Sequence, residues 1–86
     1  MTRNEITEHI LNIFAERFEI EKPGLDDHLR EEYEFDSIDA IELLSEIETM
    51  LGSKLTREEK KQAMEISTIN QIIDYVEALA AARTAT

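Results

Sequence analysis

Residues 36–52, Asp-Ser-Ile-Asp-Ala-Ile-Glu-Leu-Leu-Ser-Glu-Ile-Glu-Thr-Met-Leu-Gly, decide the fold class. Apolar residues recur at Ile38, Ile41, Leu44, Ile47 and Leu51, with Leu43 and Met50 beside them, a helical spacing rather than the alternation of a strand. The stretch stops at Gly52, a residue at ease in the left-handed backbone that ends helices. Asp36 or Ser37 is placed to cap its start.

Downstream, Thr56-Arg57-Glu58-Glu59 has the form of a capping box and opens a short helix to about Met64. Ser67 or Thr68 caps a last helix whose apolar stripe is Ile69, Ile72, Ile73, Val76 and Leu79. Ala80 to Thr86 has no apolar residue larger than alanine, and this tail is expected to fray. Upstream, Thr2-Arg3-Asn4-Glu5 is another capping box, followed by Ile6, Ile10, Ile13, Phe14 and Phe18, a helix from about residue 3 to 18. Residues 19–35 lack any sustained period and read as a long loop holding Pro23, anchored by Leu25, Leu29, Tyr33 and Phe35. The expectation is one all-α domain over residues 1–86, with its core at about 3–79. It is a four-helix bundle of three longer helices and a short third one, with a long first loop.

Composition narrows function. Nine Lys and Arg stand against 20 Asp and Glu, a formal charge of −11. Phosphate backbones bind through Lys and Arg, so nucleic acid is a poor partner and basic protein surfaces are good ones. The absence of Cys removes disulfides, thiolate zinc sites and a cysteine nucleophile. No apolar run approaches the ~20 residues of a membrane span. The polar, acidic start lacks a signal-peptide layout, so the cytoplasm is expected; a monomer is expected as well. A domain this small buries only about 60% of its unfolded surface, which leaves little depth for an active site. His9 and His28 form no metal spacing, and Gly24 and Gly52 stand alone without a phosphate loop. An enzyme is therefore not expected, and neither is a metal site.

Charge placement says more than charge total. Residues 31–48 hold eight acids and no Lys or Arg, whereas Lys54, Arg57, Lys60 and Lys61 cluster further on. Asp39, Glu42 and Glu46 are spaced to share one exposed side, opposite Ile41, Leu44 and Ile47. That strip is either a solvated face or a docking strip for basic partners. Ser37 is either a helix cap or an attachment point. Its neighbours Asp36 and Asp39 supply no activating base, so any reaction there needs a base from another protein. A helix start does offer amides and a positive dipole end to a phosphodiester.

The run Asp36-Ser37-Ile38-Asp39-Ala40-Ile41-Glu42-Leu43-Leu44 resembles the Asp-Ser-Leu-Asp-x-Val-Glu-Leu motif of acyl carrier proteins. Ile66-Ser67-Thr68-Ile69, followed by Ile73-Asp74-Tyr75-Val76, is similar to that family's last helix, and Leu51 falls where Phe is common. The resemblance covers about residues 4 to 79. It implies a non-catalytic carrier whose Ser37 is esterified with 4′-phosphopantetheine by a separate phosphopantetheinyl transferase. The arm's thiol holds acyl groups for enzymes of fatty acid, lipid or polyketide-type synthesis. By the same resemblance Asp36 helps position the transferase's metal. Ile38, Asp39, Glu42 and Glu48 meet partner enzymes with basic docking surfaces, and Leu44, Ile47, Leu51, Leu55, Ile66 and Ile72 line an acyl pocket.

Several residues depart from the family pattern. Ile38 replaces Leu, and Tyr33-Glu34-Phe35 replaces Leu-Gly followed by a small residue or Met. The Leu55 to Ile66 segment is about three residues longer, near one helical turn. Lys60 and Lys61 stand where acids are frequent, and Ile72 where Ala is common. These departures indicate a specialised carrier. A D-alanyl or other aminoacyl carrier is one alternative, and an acidic helical interaction module without a prosthetic group is another. With so many acids around one helix, self-repulsion should loosen the fold at low ionic strength. The melting temperature is expected to rise as salt or Mg²⁺ is added; a salt-independent melt would contradict this.

Overall fold

The computed structural model describes residues 1–84. Among them the chain forms five helices and no strand: α1 (Arg3–Arg17), α2 (Leu29–Tyr33), α3 (Ser37–Leu51), α4 (Arg57–Ala63) and α5 (Ile69–Thr84). Reciprocal capping starts four of them. Thr2 with Glu5, Asp36 with Asp39, and Thr56 with Glu59 form complete capping boxes. At α5 the Gln71 amide donates to the Thr68 hydroxyl while the Gln71 side chain accepts from the Thr68 amide. Each box satisfies amides that helix geometry leaves without partners.

The core lies between α1 and α5. Ile6, Ile10 and Phe14 face Ile69, Ile72, Ile73 and Val76, all 1% exposed or less. Leu43 and Ile47 bring α3 onto this pair, and Leu29 and Leu55 complete the core. Fully burying one such side chain is worth about 1.5–3 kcal/mol. Gly52 ends α3 at φ 70°, its amide reaching the Glu48 and Thr49 carbonyls.

Three features differ from the sequence expectation. The long loop contains a helical turn, α2, too short to show a period. Its Leu29 is buried, the Leu29 amide donates to the Ser67 carbonyl at 2.9 Å, and Glu34 closes the turn in left-handed backbone at φ 56°. Secondly, Ile41 does not share a face with Ile47, because each step of three residues drifts about 60° around a helix. Ile38 and Ile41 are 74% and 66% exposed, and they stand beside Asp39 and Glu42 rather than opposite them. Thirdly, residues 80–84, expected as a tail beyond the core, form the last turns of α5, which continues to Thr84. Arg83 pins this last turn: it pairs with Glu59 at 2.9 Å and donates to the Ser53 hydroxyl and the Lys54 carbonyl. The rest of that tail, residues 85–86, lies outside the described residues.

Arg83 also sets the one large acidity change among the described residues. Its hydrogen bonds, followed by the Thr56 amide, hold the Glu59 carboxyl down from 4.5 to about 2. A depressed carboxyl stabilises the fold above its unfolded value and loses that contribution as pH falls through the folded one. The contribution is therefore complete above about pH 4.5 and gone below about pH 2. Glu59→Gln is expected to flatten the acid side of the stability curve and to lower stability near neutrality by about 1 kcal/mol. Urea unfolding across pH tests this, and overlaid wild-type and variant curves would contradict it.

Candidate functional site

The start of α3 places an exposed hydroxyl with little freedom around it. Asp36 Oδ1 accepts from the Ile38 amide at 3.0 Å and the Asp39 amide at 3.1 Å, while Asp39 Oδ2 accepts from the Asp36 amide at 3.2 Å. Asp36 is therefore the cap and Ser37 the first helical residue. The Ser37 hydroxyl is solvent-exposed and makes no hydrogen bond to any described residue. Just before it, Phe35 stacks on Phe14 with ring centres 5.3 Å apart and meets Phe18 edge-on at 5.2 Å. Such pairs add about 0.5–1.5 kcal/mol beyond burial and tie the loop to α1. Among the described residues no base is hydrogen-bonded to Ser37, so the fold itself does not activate the hydroxyl.

Beside Ser37 runs an open groove of about 200 Å³, walled by Asp36, His28, Arg30, Met64 and Ser67 over Leu29 and Phe35. Deeper lies an apolar cavity of about 30 Å³, lined in part by Leu44, Ile47, Ile66 and Ile72. Of the other residues expected there, Leu55 is buried in the core and Leu51 is half-buried against it, both outside the cavity lining. Phe35, Ala40, Met64 and Tyr75 also line the cavity, a place the sequence reading did not assign to them. Tyr75 is fixed there by its hydroxyl, which donates to the Glu59 carbonyl. Its position one helical turn after the cavity residue Ile72 was the available signal.

The acids differ in what they already hold. Glu42 is exposed and unpaired, Asp39 serves the cap, and Glu48 accepts from the Leu55 amide at 2.8 Å. Glu46, expected on the free strip, pairs with Arg17 at 3.0 Å. The strip is narrower than its charge count, with exposed Ile38 and Ile41 set among the acids.

A family sequence model described as "Phosphopantetheine attachment site" matches residues 8–76. The chain belongs to the acyl carrier protein family. Acyl carrier protein 2 of Ralstonia nicotianae is 38% identical over 84 residues, covering 95% of this chain and 100% of that relative. An acyl carrier protein of Rubrobacter xylanophilus is 35% identical over 78 residues, covering 88% of this chain and 93% of that relative. Another, from Lactobacillus johnsonii, is 27% identical over 78 residues, covering 88% and 94%.

The carrier is thus a non-catalytic protein bearing covalent 4′-phosphopantetheine, which sets aside the interaction module without a prosthetic group. When bound, that group supplies the thiol that a chain without Cys cannot. An exposed, unbonded hydroxyl beside an open groove fits such an attachment. The carrier works with a phosphopantetheinyl transferase and with acyl-processing enzymes. No helix among the described residues is long and apolar enough to cross a membrane.

Capping by Asp36 separates two neighbouring substitutions. Asp36→Ala removes the double amide acceptor and is expected to cost ~0.5–2 kcal/mol. Ser37→Ala breaks no bond and is expected to stay within about 0.5 kcal/mol of wild type. Urea unfolding of both variants checks this, and equal losses would contradict the assignment of the cap.

Proposed function

We propose that Ser37 is the attachment point and that the carrier presents acyl thioesters to enzymes of fatty acid, lipid or polyketide-type synthesis. The observation that carries this reading is the hydroxyl itself: exposed, free of hydrogen bonds, and held at the first residue of α3 beside the groove. In the transfer, a Ser37 Oγ–phosphorus bond forms as the pyrophosphate bridge of coenzyme A breaks. The hydroxyl proton leaves to a base of the transferase, and the adenosine bisphosphate departs.

The chain's own contribution is placement. Asp36, its Oδ1 already engaged by two amides, stays exposed beside Ser37, where a transferase-bound metal would meet it. Ile38 and Glu42 offer an apolar and an acidic contact on one face, with Asp39 and Glu48 contributing the charge that their internal bonds leave. Basic docking surfaces complement that face. The cavity bounded by Leu44, Ile47, Ile66 and Ile72 has room at rest for only a few water-sized groups. A longer acyl chain needs α4 to move aside, and α4 contains no buried residue to resist it.

Intact mass is the test. Incubation of the apo carrier with coenzyme A, Mg²⁺ and a broad-specificity transferase is expected to add one phosphopantetheine to wild type and none to folded Ser37→Ala. Modification of the variant would place the attachment elsewhere.

A further inference from the structure

Three of the five arginines meet acids: Arg3 with Asp74 and Glu77, Arg17 with Glu46, and Arg83 with Glu59. Arg30 and Arg57 have no ion pair among the described residues, and of the two only Arg30 lines the groove that contains Ser37. Upstream, Asp26 accepts from the Asn70 side chain at 2.7 Å, and Asp27 from the Tyr33 hydroxyl at 2.6 Å and the Gly24 amide at 2.8 Å. Asp36, in the same groove, is engaged by the α3 amides. His28 adjoins Arg30 in the lining and makes no side-chain cap to α2. Lys54, Arg57, Lys60 and Lys61 are not part of that lining.

We propose that Arg30, assisted by His28, is the anion-holding wall of this groove, and that its ligand is an oxyanion of the arm on Ser37. The oxyanion is the phosphodiester at the arm's base or a carboxylate at the end of its cargo. The proposal rests on Ser37 as the attachment point. A guanidinium presents a planar fork of donors matched to phosphate or carboxylate oxygens. A phosphodiester on Ser37 adds negative charge next to Asp36 and Asp39, in a chain already at −11. Arg30 is the groove's permanent cation against that repulsion, and pairing with it turns the first atoms of the arm toward α2. It is a positioning residue, and the transfer chemistry does not need it.

The test compares wild type, Arg30→Ala and Arg30→Lys in the apo, holo, acetyl-loaded and malonyl-loaded forms. It reads the phosphorus NMR resonance together with the arginine side-chain N–H signals. A holo phosphorus resonance that is displaced and broadened in wild type, lost to a free-phosphodiester position in Arg30→Ala, and partly restored in Arg30→Lys supports the phosphodiester as ligand. That displacement should also shrink at high salt. Coincident phosphorus resonances, with an Arg30 signal that moves on malonyl but not acetyl loading, support the carboxylate instead. If neither signal depends on Arg30, the proposal is overturned while Ser37 stands. If wild type acquires no phosphorus signal, the Ser37 reading falls and takes this one with it.

Discussion

The carboxylate of Asp36, shared between the amides of Ile38 and Asp39, is the interaction on which the site depends. It fixes where α3 begins, and so makes the next residue, Ser37, the first of the helix rather than its cap. A serine spent on capping would have its oxygen turned back on the helix amides. Relieved of that duty, its hydroxyl points into solvent with no partner among the described residues. The returning bond from the Asp36 amide to Asp39 closes the box, and the Phe14, Phe18 and Phe35 rings hold the incoming loop. An exposed hydroxyl is thus carried on a rigid support.

The rest of the molecule divides stability from access. α1, α5 and the Leu43–Ile47 edge of α3 contribute nearly all of the buried core. α4 buries none of its residues completely and is attached by Arg83, Glu59 and the Tyr75 hydroxyl at its start. Elements with few buried contacts open at the lowest cost. Among the elements that line the small apolar cavity, α4 is the one least held by burial. Acidic charge works alongside this arrangement: Glu42 and the exposed isoleucines are free for partners, while Glu46 and Glu48 hold the fold.

Much of this could be read locally. The capping boxes at Thr2, Asp36 and Thr56 and the stripes of Ile6–Phe14 and Ile69–Leu79 gave the main helices to within a residue or two, because both signals act over one or two turns. The candidate site at Ser37 was proposed from the same kind of local signal, since its motif is a contiguous run. Features set by distant partners were not legible. α2 is held by a bond from Leu29 to Ser67, and the last turn of α5 by Arg83 reaching back to Glu59. Ile41 was misplaced because a series of three-residue steps drifts around the helix, and only packing against α1 and α5 shows that Leu43 and Ile47 face inward. The groove that brings Arg30 and Ser37 together is set by tertiary packing, which no spacing rule reveals.

The central claim is that the fold presents the Ser37 hydroxyl for covalent loading. The direct measurement is peptide mapping by tandem mass spectrometry of the protein isolated from its natural source. The account predicts a phosphopantetheine group on the peptide that spans Asp36 to Glu42, localised to Ser37. The same group found on Ser45, Ser53 or Ser67, with Ser37 unmodified, would contradict it.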